Sequence, residues 1–347
     1  MRYRLKRCVL RAPLGKLFPL SICFLQTADA DLGPTSIFSP ASTPANSIFG
    51  LSLFVIVVAV VIFVVVFSLL AYSVVRFRKK RDDDGREPPQ VYGSNQVELA
   101  WTVIPVLIVV TLFMATARVI ASIQKASQPA NAVEVVAIGH QFWWEFRYPA
   151  LKVVTANELH VPLSDPDHPT PTVIKLTSAD TDHSFWVPRL AGKTDLIPNR
   201  VNSTWIDPHQ PGVYLGQCAQ YCGTQHAKML LRVYVQTREE FNRWIQEQVQ
   251  SAHVIDMVSE GRRIFETTAC INCHTVAGTI ADGRFGPDLT HIMSRDTIGS
   301  GAAPNTPEDL RLWIRNPSIF KPGCKMPAMA LSDQEVSAVA AYLETLR

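Results

Sequence analysis

A chain of 347 residues has room for two domains and additional segments. Its formal net charge of +3 argues neither for nor against nucleic acid; no nucleic-acid partner is expected, and partners have to be read from apolar segments instead. Of its seven cysteines, two stand in a loop at Cys218 and Cys222, two in a Cys-x-x-Cys-His motif and two in the leader, leaving only Cys324 and excluding a disulfide framework.

Residues 1–30 open with Arg2, Arg4, Lys6, Arg7, Arg11 and Lys16, pass into the apolar Leu17 to Leu25 and reach Ala28-Asp29-Ala30. Basic start, apolar run and small-x-small end predict a removed signal peptide, with lipidation at Cys23 as the alternative. After an exported segment over 31–47, the uncharged run from Ile48 to Tyr72 is longer than the ~20 residues that span a bilayer. A second helix is predicted over 99–120, with Pro105 tolerated because a membrane helix re-satisfies freed backbone groups. The loop between them, 76–95, carries Arg76, Arg78, Lys79, Lys80, Arg81 and Arg86, and basic loops stay on the cytoplasmic side. This transmembrane hairpin, 48–120, puts everything beyond it outside the cytoplasm. Glu98, at the cytoplasmic start of the second helix, is either a solvated acid favoured by the helix dipole or a proton-entry group.

Over 121–235 apolar strand patterns recur at Val133–Ile138, Val173–Leu176, Thr204–Ile206, Val213–Leu215 and Leu230–Val235, separated by Pro, Gly and Asp clusters. They predict a small all-β Greek-key barrel or sandwich. Phe142, Trp143, Trp144, Phe146 and Tyr148 form a dense aromatic run. The last two strands flank a loop holding Cys218, Cys222, His226 and Met229, and His183 is the best upstream partner. Two Cys and two His would satisfy zinc, but a thioether adds little for zinc, whereas thiolate, imidazole and thioether together suit copper. A structural zinc site or a disulfide are the alternatives.

Residues 236–255 read as an amphipathic linker helix with Phe241, Trp244, Ile245 and Val249 on one stripe. The final domain, 256–347, contains Cys270-Ile-Asn-Cys273-His274, in which two thiols add to haem vinyl groups and the adjacent His takes the iron. Val258 to Phe265 and Ser332 to Leu346 read as terminal helices, the second opened by a Ser332/Glu335 capping box.

The Cys218–Met229 loop resembles the dinuclear copper (CuA) loop of cytochrome c oxidase subunit II, and the preceding membrane hairpin resembles that family too. The C-terminal segment is similar to class I cytochromes c, so the whole resembles a caa-type haem-copper oxidase subunit with a fused cytochrome. The resemblance implies a multidomain membrane protein: a two-helix transmembrane hairpin, an all-β cupredoxin-like Greek-key domain and an all-α cytochrome c domain. It implies Cys218 and Cys222 as bridging ligands, His183 and His226 as terminal ligands, and Met229 and the backbone carbonyl of Gln220 as axial donors. Gln220 stands where the family has Glu, so a magnesium ion at the subunit interface is left open. It implies covalent haem c on Cys270 and Cys273, with His274 and Met326 axial and the Pro287 carbonyl orienting the His; Met329 and Met293 compete for Met326's place. It implies a proton-path role for Glu98 and electron entry near Phe142 and Trp143, where the family's first aromatic is Trp.

The implied function is electron input from haem c through CuA to a catalytic subunit that reduces O2 to water and pumps protons, with no O2-reducing site on this chain. Its implied partners are catalytic subunit I, subunit III, the bilayer, and a cytochrome c or quinol-oxidising complex as donor. The implied location is the bacterial inner membrane, with copper and haem domains on the periplasmic face. The rivals are a nitric oxide reductase subunit, a quinol oxidase subunit, which would lack the copper cysteines, and a membrane-anchored electron shuttle.

Overall fold

The first two helices consist largely of apolar side chains with no core to enter. The computed structural model describes residues 35–78, 87, 90, 92–124, 132–165, 169–251 and 258–347; the leader, Cys23 and most of the basic loop lie outside them. Helices α1 (Thr43–Arg76) and α2 (Asn95–Gln124) have 34 and 30 residues, both long and apolar enough to cross a membrane. Both exceed the spans expected at 48–72 and 99–120. Hydropathy marks the apolar stretch, whereas the helical backbone continues through polar neighbours such as Asn46 and Arg76 until a terminus stops it. Pro44 fits the first turn of α1, where its missing N–H costs nothing.

Both helices are fastened to the β domain, α1 at its N-terminal end and α2 at its C-terminal end. Thr43 Oγ1 donates to Asp207 Oδ2 at 2.6 Å, and the Asp207 amide donates to Ser42 Oγ at 2.8 Å. Trp205 Nε1 donates to the Ile123 carbonyl at 2.8 Å.

Among the described residues the β domain has ten strands: β1 (Val133–His140), β2 (Trp143–Tyr148), β3 (Val153–Ala156), β4 (Glu158–Pro162), β5 (Thr172–Ser178), β6 (His183–Trp186), β7 (Thr194–Leu196), β8 (Asn202–Ile206), β9 (Gly212–Cys218) and β10 (Leu230–Gln236). They form two five-stranded sheets, ordered β3-β2-β1-β5-β8 and β4-β10-β9-β6-β7. The parallel pairs β1/β5 and β4/β10 make this a crossed-over sandwich and not a meander. Alternating burial along β1 and β10 turns one face of each to a core containing Trp144, Phe146, Tyr148, Phe185 and Ile174.

Helix α3 (Arg238–Gln248) corrects the linker reading. A Thr237/Glu240 capping box starts it, and Phe241 and Trp244 enter the β-domain core, so it belongs to that domain. Val249 is not on the buried stripe. It is 51% exposed because the helix ends at Gln248, which is buried in its place.

The C-terminal domain contains α4 (Ser259–Thr267), the single turn α5 (Cys270–Cys273), the two-residue strands β11 (Thr297–Ile298) and β12 (Ala303–Pro304), α6 (Pro307–Arg315) and α7 (Asp333–Leu343). It is helical, as expected, apart from this short hairpin. Helices α4 and α7 cross so closely that a Cβ on Gly261 would lie 2.0 Å from the Ala338 carbonyl oxygen. Phe265, Tyr342, Leu310 and Val339 fill the core around the crossing. The Ser332/Glu335 capping box is formed.

Candidate metal centres

One centre lies where β9 ends and β10 begins. Ladder hydrogen bonds hold those strands, so the loop between Cys218 and Met229 closes on fixed ends, with the Cys218 amide donating to the Met229 carbonyl at 3.0 Å. His183 opens the neighbouring β6, and its side chain is fully buried.

All six donors expected from the sequence come together. Cys218 Sγ lies 3.9 Å from His183 Nδ1, 3.1 Å from the Gln220 carbonyl oxygen and 3.9 Å from Cys222 Sγ. Cys222 Sγ lies 3.8 Å from His226 Nδ1 and 3.9 Å from Met229 Sδ. The thiols therefore occupy the middle, each with one imidazole, and with one further donor apiece at the ends. A sulfur separation of 3.9 Å is nearly twice a disulfide bond, and both cysteines are free. The neighbouring Cys222 thiol, helped by His183 against the effect of burial, holds the Cys218 thiol well below its usual range, so one thiol of the pair gives up its proton readily. This set of soft sulfur and imidazole donors, with His183, Cys218, Cys222 and Met229 buried, fits a pair of copper ions.

Sequence reading missed the groups that aim the donors. Asp180 Oδ1 lies 2.9 Å from His183 Nε2, which fixes the ring with Nδ1 toward the sulfurs. Burial would raise the Asp180 carboxyl, but hydrogen bonds from His183 and from the Gln141 and Thr181 amides pull it down to about 2. Burial also opposes a charge on His183, yet Asp180 and Cys218 raise its pKa overall. Gln141 Nε2 donates to the Cys222 carbonyl at 2.6 Å. Gly139 must lack a side chain, because a Cβ there would lie 2.7 Å from the His183 ring. An Asp three residues before the candidate His was the available signal for Asp180; Gln141 and Gly139 carry none short of the fold.

The two aromatic candidates separate. Phe142 is buried with its ring against Gly223 of the loop, whose φ of +128° suits glycine. Trp143 points elsewhere, stacking on His140 at 4.2 Å between ring centroids.

The second centre lies in the C-terminal domain. Cys270 and Cys273 are half-buried on one helical turn, and Thr268 Oγ1 lies 3.1 Å from Cys270 Sγ. His274 follows in extended conformation, and its Nδ1 lies 2.7 Å from the Pro287 carbonyl oxygen. Its ring packs on Gly286, where a Cβ would lie 2.6 Å from Cε1. With Nδ1 so engaged, Nε2 is the free donor, and two thiols with an oriented imidazole fit a covalently attached haem. Met326 and Met329 are half-buried in the loop before α7, whereas Met293 packs against the domain core. Glu98 stands apart from both centres, exposed in the first turn of α2.

The sequence matches three family profiles: "Cytochrome C oxidase subunit II, transmembrane domain" over residues 32–119, "Cytochrome C oxidase subunit II, periplasmic domain" over 133–236, and "Cytochrome c" over 258–347. It is 33% identical over 317 residues to cytochrome c oxidase subunit 2 of Alkalihalophilus pseudofirmus, covering 89% of this chain and 90% of that one. It is 29% identical to the Bacillus subtilis protein of the same name, covering 90% and 92%. Among solved structures it is similar to the periplasmic domain of cytochrome oxidase subunit II of Bradyrhizobium japonicum, with 28% identity, a TM-score of 0.33, and coverage of 35% of this chain and 96% of that one. The chain belongs to the cytochrome c oxidase subunit 2 family and is a membrane-anchored member with a fused C-terminal cytochrome c domain.

Proposed function

We propose that this chain is the electron-input subunit of a haem-copper oxidase that reduces O2 to water and pumps protons, the O2-reducing site lying on a partner subunit. When bound, covalent haem c and dinuclear copper supply one-electron carriage from the C-terminal domain to the β domain and on to that partner. The observation that carries the reading is the six-donor cluster, with two free thiols 3.9 Å apart and an imidazole on each.

Cys218 and Cys222 would hold the coppers through their thiolates, His183 and His226 through their imidazoles, and Met229 and the Gln220 backbone carbonyl as weaker donors. Rigid strands hold these donors, and the burial of Cys218, Cys222 and Met229 keeps water away. Cys270 and Cys273 would hold the haem covalently, and His274 and Met326 would be the side chains offered to its iron. Gln220 retains the axial carbonyl but supplies no carboxylate for magnesium. Glu98, at the cytoplasmic end of α2, takes protons toward the catalytic subunit. The hairpin sets the β and C-terminal domains on the periplasmic face of the inner membrane, beside subunit I and subunit III, with a cytochrome c or a quinol-oxidising complex as donor. The apolar faces of α1 and α2 meet lipid and partner helices.

Electron paramagnetic resonance with metal analysis on the purified protein tests this. A copper signal delocalised over two ions, with covalent haem on the same chain, is expected. A signal from one isolated copper contradicts the proposal.

A further inference from the structure

The cytochrome c domain is docked on the copper domain through two buried ionisable side chains, one from each domain. Lys321, in the cytochrome c domain, is 2% exposed, and its Nζ donates to the Phe142 carbonyl at 2.7 Å and to the Gly299 carbonyl at 3.0 Å. Burial pushes its ammonium group down to about 7. Glu158, in β4 of the copper domain, is 1% exposed and accepts from the Asp296 amide at 3.1 Å and from the Thr297 amide and Oγ1, each at 3.0 Å. Between these anchors the Leu230 amide donates to the Ser300 carbonyl at 3.2 Å, and Ser300 Oγ donates back to the Leu230 carbonyl at 2.7 Å. The copper loop adds Gln225 Nε2 to the Pro322 carbonyl and Lys228 Nζ to the Phe320 carbonyl, the latter at 2.7 Å.

A buried charge answered by oriented dipoles gains little net stability, since water would solvate it equally well. A shifted docking register, however, would leave each charge dry and unpaired, which is strongly unfavourable. Each domain thus reads the position of the other through its backbone. Lys321 does so at Phe142, whose ring covers Gly223 of the copper loop.

We propose that Lys321 and Glu158 are reciprocal positioning residues that fix the cytochrome c domain in one register over Phe142 and the copper loop. Electrons then enter the copper domain across a docked face and not through a tethered search, and that face is closed to a separate donor protein. This rests on the electron-input reading above.

The test uses the full-length chain in detergent, comparing Lys321→Met and Glu158→Ala with the unaltered protein. Hydrogen exchange is followed at the anchor opposite each substitution. Lys321→Met should speed exchange at the Asp296 and Thr297 amides, and Glu158→Ala should speed it at the Cys324 amide, which donates to the Lys321 carbonyl at 3.0 Å. A residue that merely fills its own site would leave the opposite anchor unchanged. In protein loaded with haem and copper, Lys321→Met should slow haem-to-copper transfer by on the order of tenfold and make it viscosity-dependent, because a lost register returns the pair to a tethered encounter. Haem reduction by an external cytochrome should stay at its original rate. Unchanged exchange at both opposite anchors overturns the proposal, as does an unchanged transfer rate in Lys321→Met. If a variant loses haem or copper, the exchange result alone decides. Absence of either group from the unaltered protein would count against the proposed function, while exchange would still report on docking.

Discussion

Asp180 is the residue on which the geometry of the candidate copper site turns, because its carboxylate holds the Nε2 edge of the fully buried His183 ring. Asp180→Asn should keep the fold and lower copper affinity by about 10–100-fold, the usual effect of removing a group that orients a metal-bound imidazole; copper titration measures it. Gln220→Glu should leave the copper spectrum unchanged, since the contact to Cys218 comes from the backbone, whereas Cys218→Ser should abolish the dinuclear signal. At the haem, Met326→Ala should lose the long-wavelength absorption band of Met-ligated ferric iron; its loss in Met329→Ala instead would exchange the two roles. The candidate donors Cys218, Cys222, His226 and Met229, and likewise Cys270, Cys273 and His274, were legible because each set stands in one short stretch whose chemistry depends on residue type and spacing. Asp180, Gln141, Lys321 and Glu158 were not, because each acts on a partner whose proximity only the folded chain creates. Gln141 meets Cys222 across 81 residues and Lys321 meets Phe142 across 179.

Among the elements, the seam between β4, β10 and α3 carries a testable titration. His160 is stacked between Tyr234 at 4.7 Å and Trp244 at 4.2 Å, and burial lowers its pKa to about 4 in spite of its contact with Gln236. The unfolded chain therefore binds a proton more readily than the native one between about pH 6.5 and 4. Stability is complete above that window and should fall as the pH drops through it, by about 3 kcal/mol. Denaturant melts of the full chain at several pH values should show this slope, and His160→Phe should flatten it. At the α4/α7 crossing, Gly261→Ala should destabilise the cytochrome c domain by about 1–3 kcal/mol or more, because its Cβ would meet backbone that cannot swing away. Elements with regular periodicity, such as β1 and β10, were legible in the sequence. Strand β2 was not, since five of its six residues are buried and it shows no alternation, and β6 and β7 are too short to reveal a period.

At the scale of the whole molecule, α3 occupies Arg238–Gln248 of the linker helix expected over 236–255 and packs into the copper domain, and the cytochrome c domain meets the copper domain face to face. Composition revealed the modules, but a docking face built from backbone groups and scattered polar side chains such as Lys321, Glu158, Gln225 and Lys228 leaves no pattern in a single sequence. The order of electron entry tests the account most directly. Full-length protein, loaded with haem and copper, is mixed rapidly with a reduced small cytochrome while both absorptions are followed. Haem c should be reduced first, and copper should follow at a rate independent of protein concentration. Copper reduced before the haem, or at a rate rising with cytochrome concentration while the haem remains oxidised, would contradict the account.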